Sequence, residues 1–219
     1  IIDSALGDPT HCLNVLQERI KSGQVVNDLN WLRLRSWRET LAMVFDPPNR
    51  RNSLSNIINL DIDIEGDHLV QGLLLASWIA DKLEWKLTKE VEKDGKSFKT
   101  KFLRSDNSMV NFRLMPLPVG KPSINPGQII GLRLICQSKT NEKSGLCVIL
   151  ASESGECMRL EAGGVASMEL LEEVVPLQNN PAEKDVALLL ESSRGSTSPL
   201  LSNAAPMAKE LLNLIESEK

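Results

Sequence analysis

An α+β domain is predicted, with one largely antiparallel sheet of about six strands and helices packed on it. Three observations predict it. The segment INLDIDIE alternates strictly, then gives way to a helix that is apolar over most of its circumference. From Trp85 onward the chain breaks into short β-rich runs separated by turn residues. Helix start signals flank this β-rich region on both sides.

Taken in order, Asp8-Pro9 reads as an N-cap with proline at the first helical position. Cys12, Leu13, Leu16 and Ile20 then recur on one face up to Gly23, giving a helix near 9–22. Ser36 with Glu39 forms a capping box for a helix over 36–45. Trp37, Leu41, Val44 and Phe45 make its apolar stripe, and Asp46-Pro47-Pro48 ends it. In the strand 57–64, Ile58, Leu60, Ile62 and Ile64 point one way, and Asn59, Asp61, Asp63 and Glu65 the other. A buried helix near 68–83 follows, with Gln71, Asp81 and Lys82 marking its wet edge, and Trp85 opens the next strand in a crossover unit. Strands over 85–162 turn at Asp94-Gly95, at Ser105–Ser108, through a loop holding Pro116, Pro118, Pro122 and Pro126, and at Gly155; Gly163-Gly164 ends them. The division expected is a mixed domain over 1–178 and a C-terminal helical segment over 179–219 packed on it. That segment starts at the capping box Asn180-Pro181-Ala182-Glu183 and ends in a helix striped by Met207, Leu211, Leu214 and Ile215.

With 219 residues, 42% of them apolar, the chain is long enough to bury a core. A net charge of −4 offers no basic field for nucleic acid or an acidic membrane. No apolar run approaches the roughly 18 residues of a spanning helix. The opening IIDSALGDPTH lacks both an initiating Met and a signal-peptide pattern, so a piece of a longer chain is expected. Four scattered cysteines suit a reducing cytoplasm better than a disulfide scaffold.

The catalytic inventory is thin. His11 and His68 sit in different elements, with no partner at metal-ligand spacing, and no phosphate-loop, dinucleotide, serine-elbow or zincin motif occurs. Neither a metal nor a cofactor is expected. Asp61-Ile62-Asp63-Ile64-Glu65-Gly66 mimics the opening of a calcium loop. The twelfth place, which needs a bidentate carboxylate, is Gly72, so a solvated strand face is the better reading. Buried structural thiols are the ordinary reading of the cysteines. Cys147 and Cys157 lie too far apart along a hairpin to pair. Cys136 and Cys147 flank one loop and are redox candidates if the register lets them face each other.

The stretch DLNWLRLRSWRET holds two of the four tryptophans in a chain without tyrosine. Read as extended up to Ser36, it sends Leu32 and Leu34 to one side and Trp31, Arg33 and Arg35 to the other, while Trp37 enters the core and Arg38 points away from it. Two readings stay open. Indole and guanidinium are enriched where interfaces bind tightly; alternatively, Trp31 plugs the sheet and the arginines pair with local carboxylates.

This stretch resembles the signature of the glucose-6-phosphate dehydrogenase assembly protein family, OpcA, an Asp-x-x-Trp-x-Arg-Leu-x-x-Trp-Arg pattern matched by Asp28, Trp31, Arg33, Leu34, Trp37 and Arg38. LLLASWIADKLEW resembles a second family block, matched at Trp78, Ala80, Leu83 and Trp85, and Leu32 and Ser77 depart mildly. The resemblance implies a non-enzymatic allosteric activator. Such a protein binds glucose-6-phosphate dehydrogenase, favours its active oligomer and raises its effectiveness toward substrate in the oxidative pentose phosphate pathway. In cyanobacteria it also implies a link to thioredoxin. Trp31, Arg33, Arg35 and Arg38 are the candidate contact residues. The competing expectation is an enzyme or small-molecule sensor with an acidic site at Asp61 and Asp63.

Overall fold

The computed structural model describes residues 1–118, 125–137, 145–153, 156–164, 170–177, 180–192 and 196–217. Helix α1 (Pro9–Lys21) starts as its sequence dictates: the Asp8 carboxylate accepts from the His11 N–H, and Leu13 and Leu16 are buried. The next segment departs from expectation. Asp28 accepts from the Asn30 N–H and nucleates a short helix, α2 (Leu29–Arg33). Leu34 in helical conformation joins it directly to α3 (Arg35–Phe45), which has no side-chain cap. The extended reading and the Ser36 cap are therefore corrected: an aspartate cap upstream starts the helical period earlier. Pro47-Pro48 closes α3 and opens the single turn α4 (Pro48–Arg51).

Strand β1 (Ile57–Glu65) leads through α5 (Val70–Lys82) to β2 (Lys86–Asp94), β3 (Ser97–Leu103) and β4 (Met109–Leu117). Beyond them lie β5 (Ile129–Cys136), β6 (Leu146–Ser152), β7 (Cys157–Gly164) and β8 (Leu171–Pro176), then α6 (Ala182–Ser192) and α7 (Pro199–Ser217). The turns at Asp94-Gly95 and Ser105–Ser108 are as expected, with Gly95 and Asn107 at φ of 61° and 64°. The Gly155 turn and Pro122 lie outside the described residues.

The eight strands among the described residues form one sheet in the order β2-β3-β4-β1-β5-β6-β7-β8. Two strands account for the excess over about six. β8 is an edge strand whose residues are half-buried or exposed, so it shows little apolar alternation. β1 is inserted into the later strands, parallel to β4 and antiparallel to β5, so they do not form an unbroken meander. The pairings make β2 parallel to β1, which confirms a β1-α5-β2 crossover, with β3 and β4 lying between.

One face of the sheet carries Leu60, Ile62, Ile64, Phe112, Leu114, Leu134, Val148 and Leu160, all essentially inaccessible. Helix α5 lies close against it: a Cβ on Gly72 would come 2.7 Å from Leu114 Cδ1. Helix α7 packs on α5 and α1, with Ala204, Ala205 and Ala208 fully buried. Gln71 is not the wet residue expected. It is 3% exposed, donates to Asn30 Oδ1 at 2.7 Å and accepts from the Ile129 N–H at 2.8 Å. It thereby ties α5 to α2 and β5. Among the described residues, no helix is long and apolar enough to cross a membrane.

Candidate functional site

The α2–α3 corner is fixed from below by buried polar groups. Asp28 accepts from Ser4 N at 2.9 Å and Ser4 Oγ at 2.7 Å, and Asn30 Nδ2 donates to Ser4 Oγ at 3.2 Å. Gln71 extends this chain of bonds to the sheet. Burial raises the Asp28 carboxyl to about 6, even though its bonds to Ser4 and Asn30 pull it down.

Helical rather than extended geometry redistributes the four candidate contact residues. Arg33 turns inward and is 5% exposed, so it is not part of an open contact face. Its Nη1 and Nη2 donate to the two carboxylate oxygens of Asp3 at 2.8 and 2.9 Å. Its Nε stands 3.3 Å from Asp185 Oδ2 of α6, near enough for charge attraction but outside hydrogen-bond geometry. Burial pushes the Asp185 carboxyl up, against its bond from Asn180 and the nearby Arg33 charge. Trp31 is also buried, at 6% exposure, and joins the core.

Arg38 and Arg35 stay outside, one helical turn apart on α3. The Arg38 guanidinium carbon lies 3.6 Å from the centroid of the Trp31 ring. Arg38 Nη1 is shielded from solvent and has no hydrogen-bond partner among the described residues. Burial lowers the Arg38 pKa to about 10, still far above neutrality, so the charge remains. Arg35 is exposed and pairs with Glu39 at 2.8 Å. The result is a half-buried, under-coordinated cation on an aromatic platform with a second guanidinium beside it. Guanidinium groups so placed have the geometry to pair with a carboxylate or another planar anion.

Neither Asp3 nor Asp185 stands out in the sequence as the partner of Arg33, nor do Ser4, Asn30 and Gln71 as the support. They meet through tertiary packing and leave no short-range spacing signal.

The other candidate residues are arranged differently from expectation. Asp61 is not on a wet face: it is 8% exposed and accepts from Arg113 Nε at 3.3 Å and Arg133 Nε at 2.9 Å. Asp63 accepts from Arg113 Nη2 at 3.4 Å. Both carboxylates are thus neutralised by guanidinium groups. His68 Nε2 lies 3.2 Å from the Gly7 carbonyl, and no cluster of three metal-ligating side chains occurs among the described residues. Cys136 and Cys147 do not face each other. The β5–β6 register pairs Cys147 with Ile135, which sends the adjacent Cys136 to the opposite face of the sheet. Cys136 is buried and free, with its thiol pushed up to about 12 by burial; Cys147 is half-buried and free.

Residues 24–205 match the family described as the C-terminal domain of a glucose-6-phosphate dehydrogenase subunit, of OpcA type, and the chain belongs to that family. It is 36% identical over 194 residues to the putative OxPP cycle protein OpcA of Synechococcus elongatus, covering 87% of this chain and 43% of that one. The Nostoc punctiforme OpcA is 35% identical over 187 residues, covering 84% of this chain and 40% of that one. The chain thus spans well under half the length of these relatives. In fold it is similar to a mutant of the 3-ketoreductase KijD10 from Actinomadura kijaniata, with a TM-score of 0.56 and 9% identity over 95% of this chain and 66% of that one. It is also similar to a levoglucosan dehydrogenase, with a TM-score of 0.51 and 9% identity over 99% and 70%. At that identity the likeness is one of fold.

Proposed function

We propose that this chain is a non-catalytic cytoplasmic module that binds glucose-6-phosphate dehydrogenase. By binding, it favours the active oligomer and raises the enzyme's effectiveness in the oxidative pentose phosphate pathway. Membership of the OpcA family supports the partner. The observation that carries the site is the Arg38 guanidinium, stacked on Trp31 with one nitrogen shielded and unsatisfied. A partner carboxylate placed there would complete its coordination, and Arg35 would add a second charge from the rim. Trp31 acts as the platform and Arg33 as the internal clamp that holds α2 in place. Activation follows from linkage: a partner that binds the active oligomer more tightly shifts the equilibrium by that difference in affinity.

Thioredoxin, the second partner implied by the resemblance, finds no Cys136–Cys147 disulfide within this chain. Exchange would begin at the half-buried Cys12, Cys147 or Cys157, whose thiolate attacks a disulfide of another molecule and displaces one of its two sulfurs as a thiolate.

Titration of the dehydrogenase with this chain, followed by native mass spectrometry and a coupled NADPH assay, tests the reading. A complex with raised substrate affinity is expected. Arg38→Glu should weaken it by about tenfold to a hundredfold, the range of charged interface hot spots. No complex and no kinetic change with the unmodified chain would overturn the reading.

A further inference from the structure

One turn beyond Arg38 on α3 stands Ala42, exposed, at the rim of a cavity of about 330 Å³. The cavity lies between α3 and α5 and is walled by Leu41, Phe45, Trp78, Ile79 and Leu134. Arg51 and Lys82 line it as well. The Trp78 Nε1–H is shielded from solvent and has no acceptor among the described residues. Two donors without acceptors, Arg38 Nη1 on α3 and Trp78 Nε1 on α5, thus belong to the two helices that meet at this apolar hollow. Its size matches the small end of ligand clefts, about 300–1,000 Å³.

We infer that this hollow is the anchor seat for the protein partner proposed above, a deepening that rests on that reading. One apolar side chain of the partner fills the cavity, and the carbonyl next to it in the partner's main chain accepts from Trp78 Nε1–H. A carboxylate a few residues away on the partner meets Arg38. The two donors without acceptors select this occupant. Arg51 and Lys82 line the hollow together with Asp46, Arg35 and Arg38 stand on α3, and three of these four cations have an acceptor within the chain: Arg35 in Glu39, Lys82 in Asp81, and Arg51 in the Asp46 carbonyl. Arg38 alone among these four keeps a shielded nitrogen without one among the described residues. A free apolar molecule would fill the hollow yet leave Arg38 unsatisfied, whereas an acidic peptide segment with an apolar anchor serves both.

Isothermal titration of the full chain with the dehydrogenase tests this in two variants. Ala42→Trp plugs the hollow from its rim and should lower affinity about tenfold or more, with unchanged circular dichroism. Trp78→Phe keeps an aromatic side chain but removes the N–H donor, and should lower affinity about fivefold with unchanged circular dichroism; it decides the matter if Ala42→Trp fails to fold. If both variants bind as the unmodified chain does while Arg38→Glu does not, the anchor is wrong and the functional reading stands. If the unmodified chain binds no dehydrogenase, both fall. If the chain alone dimerises and Ala42→Trp abolishes the dimer, the occupant is a second copy and the inference is overturned.

Discussion

The Arg38 guanidinium rests over the Trp31 ring at 3.6 Å, and the two residues belong to different helices joined at Leu34. The stack therefore measures whether the α2–α3 corner is formed. Trp31 buries one face in the core while Arg38 covers part of the rest. Replacing Trp31 by Ala should cost about 3–5 kcal/mol in urea denaturation, as for other buried large-to-small changes. A double-mutant cycle with Arg38→Ala should give a coupling of about 0.5–2 kcal/mol. A coupling near zero would mean that the stack contributes only proximity.

Arg33 clamps two distant segments unequally, and the difference is measurable. Breaking a buried pair by removing one partner costs about 3–5 kcal/mol, because it strands the other charge. Asp3→Ala removes two well-formed hydrogen bonds and should be the more destabilising change. Asp185→Ala removes the contact that holds α6 to α2. Hydrogen exchange should quicken across 182–192 in Asp185→Ala and stay slow there in Asp3→Ala. Equal protection in both would show that contacts other than the Arg33–Asp185 pair secure α6.

Asp28 should give stability a downward slope with rising pH. Its carboxyl titrates near 6 when folded, because of burial, and near 3.8 when unfolded. Between those values the folded state binds the extra proton, so stability is greatest below the unfolded value. It falls as pH climbs through the window, by about 3 kcal/mol in all. Asparagine caps helices as well as aspartate does. Asp28→Asn should therefore flatten this slope and raise the melting temperature at neutral pH. A variant that keeps the slope would assign it to other groups.

Thiol chemistry should separate the cysteines by location. In the folded chain, iodoacetamide should modify Cys12, Cys147 and Cys157 ahead of Cys136, which is buried and has a raised pKa. Mild oxidation should leave Cys136 unpaired within the molecule. A Cys136–Cys147 disulfide recovered by peptide mapping would contradict the β5–β6 register.

The parts legible in the sequence are those governed by local chemistry. Asp8-Pro9 announces α1, the alternation INLDIDIE announces β1, and Asp94-Gly95 announces its hairpin because a two-residue turn needs a left-handed glycine. The misreadings share one cause, which is competition from distant residues. Ser36 with Glu39 is a sound capping box, yet Asp28, held by Ser4, begins the helix sooner. Gln71 reads as polar and wet until Asn30 and the Ile129 amide enclose it. Asp61 reads as solvated until two arginines from flanking strands arrive. At the site, Arg38 points out of the core as its position implies, while Trp31 and Arg33 follow a period of 3.6 where the extended reading assigns a period of two.

Because β1 takes its place between β4 and β5, the first of these eight strands in chain order is the one that must wait longest for neighbours. The run β2-β3-β4 and the run β5-β6-β7-β8 can each zip up hairpin by hairpin, and β1 is the seam that joins them. Until β4 arrives both edges of this apolar strand are bare, and until β5 arrives one still is, which is costly in loop closure and inviting to aggregation. Synthesis arrested after β4 should leave a species that chaperones hold, and release past β5 should let the two half-sheets close on their shared seam.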